Sequence, residues 1–379
     1  MSTYLKKICH MTSAHEYNDM RIFLKECRTL HEAGYNVSFI VQHNKDEVID
    51  GVQILGVAKP KNRKERMLKT TRQVYKRALE CDADIYHFHD PELIIVGLRL
   101  KKSGKKVIYD VHEDVPRQIL SKQWISIYLR KVISWLVEML ENYAAKWFDY
   151  IITATPYIKE RFVKINKKTI DVNNYPILSE LYISETNWSS SREKLVCYIG
   201  GISKNRGIQE MVQALEKSHY FMLLAGNFES SDEREMLINK DGWRQVIELG
   251  YINRAEVKDV LSRARAGLVL FLPEPNHIHA QPNKLFEYMS AGIPVIGSDF
   301  PLWREIIESN NCGICVNPFN PNEIAYAIDW LIENPYQAEQ MGSNGRKSVE
   351  DKYNWEKESK KILKVYSKIG ATSLRLCVD

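Results

Sequence analysis

The chain has 379 residues, 44% of them hydrophobic and 27% charged, with a formal net charge of +5. That length suits two domains rather than one, and so mild a charge does not call for a nucleic-acid partner. No apolar run reaches the roughly 18–20 residues a membrane-spanning helix needs, and the opening MSTYLKKICH has no secretory apolar core.

The first half alternates strands and helices. KKICHMT is a short apolar strand ending in a polar loop. RIFLKECRTLHEAG follows, with Ile22, Phe23, Cys27 and Leu30 at helical spacing and Gly34 suited to its end. NVSFIVQ is a β-branched strand. Between Lys59 and Arg77 basic residues far outnumber the single acid Glu65. Such a run suits phosphates, an anionic membrane surface or a solvated helix face. Asp82–Asp84 imitates a D-x-D metal motif but precedes a strand, so it reads as a helix-to-strand turn. DIYHFHD and KKVIYDVHED are strands separated by the helix pattern PELIIVGLRLKKSG. Alternation puts His87 and His89 on one face, with Asp90 opening the loop. WISIYLRKVISWLVEMLENYAAKWF, residues 124–148, is a long amphipathic helix, and DYIITAT is another strand.

A break follows at 176–192, where periodicity fades and a Ser run suggests a linker. The pattern then restarts with strand LVCYIGG, helix GIQEMVQALEKS, strands YFMLLAG and QVIELGYI, helix AEVKDVLSRA and strand AGLVLFLPE. PNKLFEYMSAG is a short helix, GICVNP a strand, and PNEIAYAIDWLIENP and WEKESKKILKVYSKIG the closing helices. Strands alternating with helices predict parallel sheets covered on both faces. The fold class expected is α/β, with two doubly wound domains facing a cleft where ligands bind at the carboxyl ends of strands. The seven cysteines are scattered, as reduced thiols of a cytoplasmic protein would be. Cys312 and Cys315 form C-x-x-C, but no second ligand pair has metal-like spacing, and the pair precedes a strand end and a loop rather than opening a helix, so neither a zinc site nor a redox pair is expected.

Two loops of the second half could do chemistry. In YIGGISKNRGIQEM a strand ends in Gly200-Gly201, and Lys204 and Arg206 precede a helix. Backbone donors beside a guanidinium make a phosphate site, and a glycine turn with solvated bases is the plainer alternative. The nicotinamide and P-loop glycine signatures are absent. In PNKLFEYMSAGIPVIGSDFPLWREI, Pro282 opens a helix and Gly292 closes it. Lys284 and Glu287 are three residues apart. They suit either a nucleotide diphosphate, with lysine on phosphate and glutamate on a ribose diol, or an ordinary surface ion pair.

Taken together, GGISKNRG, NKLFEYMSAGIPVIGSDFPLWREI, HFHDPE, YDVHEDVP, NNYP and the closing YNWEKESKKILKVY resemble the family-4 (group 1) retaining glycosyltransferases of GT-B fold. The resemblance covers almost the whole chain. It implies an acceptor-binding Rossmann-like domain at 1–175, a linker at 176–192, a donor domain at 193–355, and a helix at 356–379 that crosses back to the first domain. Glu287 matches the second glutamate of the family's E-x7-E, which binds ribose. His279 stands where the first glutamate would be, with Asn283 nearby. Arg206 matches a phosphate-binding lysine. The family's preceding arginine is replaced by Gly201, so Lys284 supplies the missing charge. Ile252 matches a position whose backbone meets the nucleobase, and Leu285 completes the donor set. His112 matches a histidine beside the reacting sugar, and Arg21, His89, Asp90, Glu113 and Asp114 form the acceptor side.

The resemblance further implies catalysis by His112, Glu287, Arg206 and Lys284, no cofactor and no catalytic metal, with a UDP- or GDP-linked sugar as donor. The acceptor is a glycan or a lipid-linked glycan in polysaccharide or glycolipid assembly. The basic run and the segment at 124–140 suit peripheral contact with the cytoplasmic membrane face. A sugar-nucleotide epimerase and a non-catalytic nucleotide-sugar binding protein remain as rivals. A nicotinamide oxidoreductase lacks its fingerprint.

Overall fold

The computed structural model describes residues 6–122, 125–183, 188 and 192–370. It divides into two compact units, Met1–Asn174 with Lys357–Asp379, and Tyr175–Glu356.

The first unit is built on an eight-stranded sheet in the order β3-β4-β2-β1-β5-β6-β7-β8. Its strands are β1 (Lys7–Glu16), β2 (Asn36–Gln42), β3 (Glu47–Ile49), β4 (Val52–Val57), β5 (Ile85–Phe88), β6 (Lys106–Val111), β7 (Tyr150–Thr153) and β8 (Thr169–Asp171). All neighbours run parallel except β3 and β4. The central strands are buried on both faces, β5 along its whole length, as helix-covered parallel strands must be. The chain steps outward from β1 through β2 to β4 and then returns to the other side of β1 with β5. His10 on β1 lies beside His87 on β5 at that reversal.

The second unit holds β9 (Leu195–Ile199), β10 (Phe221–Ala225), β11 (Val246–Gly250), β12 (Ala266–Val269), β13 (Val295–Ser298) and β14 (Gly313–Val316). They are parallel, in the order β11-β10-β9-β12-β13-β14. Here the direction of winding reverses between β9 and β12. Open α/β sheets bind ligands beyond the strand ends at such a reversal.

Several expectations need revision. The described residues of the expected linker at 176–192 pack into the second unit: Leu181, Ile183 and Trp188 fill its core. Trp188 Nε1 donates to the Gly292 carbonyl (3.1 Å), and Arg192 donates to the carbonyls of Leu261, Ala264 and Ala291. A strap held by single side chains in separate sockets has no period to read. The long helix begins at Ile127 and ends at Ala145, and the Trp124 of the expected segment lies outside the described residues. Helices Ser231–Ile238, Pro301–Ser309 and Pro335–Asp351 were not foreseen. The last of these approaches its neighbour backbone to backbone, since a Cβ on Gly342 would lie 2.0 Å from the Gly292 carbonyl oxygen.

The final helix, Trp355–Lys368, belongs to the first unit from Lys357 onward, and its Tyr366 is fully buried there. Asp82 closes helix Thr71–Cys81 in the left-handed region, at φ 44°. Cys312 fills core, and burial pushes its thiol and that of Cys315 up to about 12, the reverse of an activated thiolate. No described helix is long and apolar enough to cross a membrane.

Candidate functional site

In the second unit the chemistry gathers at the β9–β12 reversal. Gly200 takes φ +130°, and Gly207 takes φ +75° after the short turn Lys204–Arg206. A Cβ on Gly207 would lie 1.9 Å from the Leu270 carbonyl oxygen, so only glycine lets this loop close against β12. The turn aims Arg206 back at the strand end, where its Nη1 donates to the Gly201 carbonyl (3.1 Å).

Lys284 arrives from the first turn of helix Asn283–Ser290 and is only 8% exposed. Its ammonium lies 3.7 Å from the Tyr198 ring centroid and 5.5 Å from that of Phe271. It has no hydrogen-bond partner among the described residues. Burial, and then the neighbouring Arg206, hold it well below the usual lysine range. A Cβ on Gly200 would sit 3.1 Å from Nζ, so the glycine leaves the ammonium its space. Two cations thus meet at a strand end with no carboxylate paired to either among the described residues.

Glu287, one turn along, does not form the ion pair with Lys284 that its spacing allowed. Its Oε1 accepts from Arg254 Nη1 (2.9 Å), and Arg254 Nε binds Glu180 (2.7 Å). No described residue donates to Oε2. Arg254 was missed because its own surroundings advertise only a helix start, the Asn253–Glu256 capping box. Its partner lies 33 residues away. Asn283 and His279 are exposed, and Ile252 is half-buried against the core. Leu285 is a correction: its side chain is fully buried among core residues, so it does not face a donor.

In the first unit a buried chain of hydrogen bonds spans the β1–β5 reversal. His112 Nε2 meets His89 Nδ1 (3.0 Å), His89 Nε2 meets His10 Nδ1 (3.0 Å), His10 Nε2 meets Tyr366 Oη (3.2 Å), and Tyr366 Oη meets His87 Nδ1 (2.9 Å). His112 is the partly exposed end, with Asp110 Oδ2 3.3 Å from its Nε2. Burial lowers His89 to about 4 and holds His10 and His87 well below the usual imidazole range. Burial opposes the charge on Asp110, but Arg21 and the imidazoles around it keep the carboxyl well below its usual range. His10, Glu26, His87 and His89 offer ligand atoms within 4.8 Å of one another, as do His89, Asp110 and His112. Both ring nitrogens of His10 and of His89 have hydrogen-bond partners, whereas His87 Nε2 and both carboxylate oxygens of Glu26 have none among the described residues.

The acceptor-side residues divide. Arg21 is a correction: it is 4% exposed, grips Asp110 through Nε and Nη2, and donates from Nη1 to the Val172 carbonyl (2.8 Å). It is the counter-charge of a buried carboxylate, not a ligand contact. Asp90 Oδ2 accepts from Thr12 Oγ1 (2.7 Å), Ser13 N (2.5 Å) and Ser13 Oγ (3.1 Å), while its Oδ1 lies 3.6 Å from His15 Nε2. Asp114 accepts from Arg161 (3.1 Å), and Glu113 accepts from Gln118. His89 lies behind His112 and reaches the surface only through it. His15 was missed: its ring centroid is 5.4 Å from that of His112, and Nδ1 meets Asp19 (2.8 Å). Burial opposes its charge, but Asp19 and Asp90 outweigh burial and raise it.

Residues 183–348 match the family model of glycosyl transferases group 1, and residues 21–173 match that of glycosyltransferase family 4. D-rhamnosyltransferase WbpZ of Pseudomonas aeruginosa is 24% identical over 283 residues, covering 73% of this chain and 71% of its own. Sucrose-phosphate synthase from Thermosynechococcus elongatus superposes with a TM-score of 0.77 at 18% identity, over 97% of this chain and 99% of its own. HepE from Anabaena, solved with UDP and glucose, superposes with a TM-score of 0.73 at 15% identity, over 96% of this chain and 100% of its own.

Proposed function

The chain belongs to the family-4, group 1 glycosyltransferases and has their GT-B fold, and from that premise we propose that it moves a sugar from a nucleotide diphosphate to an acceptor hydroxyl with anomeric configuration retained. The observation that carries this is the pair of uncompensated cations, Lys284 and Arg206, at the β9–β12 reversal. A buried ammonium without an anion is costly, and a diphosphate would supply the anion. Glu287, braced by Arg254, offers Oε2 to a ribose hydroxyl, and the Ile252 backbone flanks the base. His279 and Asn283 stand at the donor sugar.

Among the described residues no pair of side chains at the cations is arranged as nucleophile and base. The reaction therefore runs through an oxocarbenium-like state, and the departing diphosphate oxygen takes the acceptor proton on the same sugar face. Preorganised charge on the leaving group is the main catalytic contribution, supplied by Lys284 and Arg206 in place of a metal. His112, fixed by His89 and Asp110, stands beside the reacting sugar. The anionic diphosphate in HepE supports a nucleotide-sugar donor, and the rhamnosyltransferase relative supports polysaccharide or glycoconjugate assembly.

Peripheral membrane contact on the cytoplasmic face is part of this reading. Helix Ile127–Ala145 exposes Tyr128, Val132, Trp135, Leu136, Met139 and Tyr143 on one side, with Lys131 exposed beside them. Aromatic and basic residues together suit a lipid interface.

A thermal-shift screen of UDP- and GDP-linked sugars tests the donor. One or more should raise the melting temperature, and Arg206→Ala should weaken diphosphate binding more than nucleoside binding. Equal losses would remove the phosphate assignment. Donor incubated without acceptor separates transfer from epimerisation, since only an epimerase would release an altered sugar.

A further inference from the structure

We propose that a basic cleft in the first unit binds a phosphate ester, and that this is the phosphate of the acceptor. The cleft is open, about 390 Å³ in volume, and lies at the ends of β1 and β2. Arg63, Arg66 and Lys122 line it with the amides of Gln42, Asn62 and Gln118, and no carboxylate lines it. Arg63 and Arg66 belong to the basic run at 59–77, and Lys122 is brought to them from a separate segment that follows β6. Arg66 lines the cleft while its Nε forms an ion pair with Glu92 Oε1 (2.7 Å). Lys122 has no ion-pair partner among the described residues. A concave site with three cations and amide donors selects a discrete, multiply charged oxyanion, where a flat basic face would only concentrate counter-ions.

The position of the cleft ties it to the transfer reaction, and to this extent the inference rests on the function proposed above. Ala14 on its wall lies between Ser13, which donates to Asp90, and His15, whose ring neighbours that of His112. Gln118 on the opposite wall donates to Glu113, in the His112 loop. A phosphate in the cleft is thus held beside the loops that carry the acceptor side. Met67 and Leu68, which follow Arg66 in the chain, are exposed (52% and 56%). The phosphate belongs either to a lipid-linked acceptor or to a soluble sugar phosphate, and both share the recognised group.

The full-length chain allows a direct test, with pyrophosphate as probe. Lys284→Met with Arg206→Ala removes the proposed donor anion site, and calorimetry on that protein should still detect pyrophosphate binding. Adding Arg63→Gln and Lys122→Gln should weaken that remaining binding tenfold or more, roughly the loss expected for two charge-assisted contacts, with an unchanged melting temperature showing an intact fold. Unchanged affinity overturns the cleft. Failure of the donor reading is seen separately, as nucleotide affinity that survives Lys284→Met with Arg206→Ala. Flotation with phosphatidylcholine vesicles, with and without phosphatidic acid, identifies the source. If Arg63→Gln with Lys122→Gln abolishes the preference for phosphatidic acid, the phosphate is lipid-borne. If the preference persists while pyrophosphate affinity falls, it is soluble.

Discussion

Lys284 is the residue whose presence the folded state explains least by itself. Desolvation disfavours its charge and Arg206 repels it, and against these stand only two aromatic faces and the Glu287 carboxylate, to which it is not hydrogen-bonded. Such a group is kept for what it binds, at the expense of the empty protein. Lys284→Met keeps the length and removes the charge. It should therefore stabilise the ligand-free chain by about 1–3 kcal/mol while abolishing the rise in melting temperature given by a sugar nucleotide. The pH dependence has a definite sign. The folded value lies below the ordinary 10.5, so between the two the unfolded chain holds more protons and stability climbs with pH. Melting curves taken from about pH 7 to about pH 8.5, below the ordinary range of the thiols and phenols that burial raises, should climb more steeply in the native chain than in Lys284→Met. A destabilised variant that still responds to nucleotide would refute this account.

At the scale of elements, the loop between β9 and its following helix carries the site, and its shape hangs on Gly207. Gly207→Ala forces a side chain into positive φ and against the Leu270 carbonyl, which should cost roughly 2 kcal/mol or more. A lower denaturation midpoint together with weaker diphosphate binding is the expected result, because Arg206 moves with the loop. Arg254 acts between elements, joining helix Arg254–Arg263 to helix Asn283–Ser290 through Glu287. Arg254→Ala should weaken nucleoside binding several-fold but leave pyrophosphate binding unchanged, with partial rescue by Arg254→Lys. This loop was legible in the sequence because its glycines and charges are neighbours along the chain. The doubly wound sheets were legible too, since buried β-branched runs between turn signals leave little choice. What sequence could not supply was pairing at a distance. Arg21 looked like a ligand contact because Asp110, its partner, is 89 residues away. Leu285 looked like part of the donor set because its neighbours are, although its own direction on the helix is inward. Helix Pro335–Asp351 escaped because glycines at 342 and 345 weaken its apolar stripe while serving its close packing.

On the scale of the molecule, the two units differ in what acid does to them. His10, His87 and His89 are at most 3% exposed, and all belong to the first unit. The histidines of the second unit, His219, His277 and His279, are exposed or half-buried. For the buried three the folded value is depressed below the ordinary 6.5. The unfolded chain then holds more protons below pH 6.5, so stability falls as pH drops from there toward the folded values. His89 alone, lowered to about 4, accounts for on the order of 3 kcal/mol across that window. The groups packed around the cluster modify the slope without reversing it. Glu26, raised by burial and then by Asp110, takes up a proton in the folded state and works against the loss. His15, raised by Asp19 and Asp90 against burial, also works against it, but is one partly exposed ring. Asp110 is held well below its usual range and adds its own loss only at still lower pH. Arg21 and Tyr366 keep their charge state throughout. Glu141, raised by burial, works in the same direction as Glu26, and three deeply buried imidazoles against these two carboxyls and one partly exposed ring leave the first unit acid-labile. Hydrogen exchange followed from about pH 7.5 to about pH 5 should therefore show β1, β5 and β6 losing protection while β9, β12 and β13 keep theirs, with calorimetry resolving a separate, earlier transition. Exchanging His10 for Asn should flatten the acid slope of that first transition. Equal loss of protection in both sheets would mean that the buried histidines do not govern it.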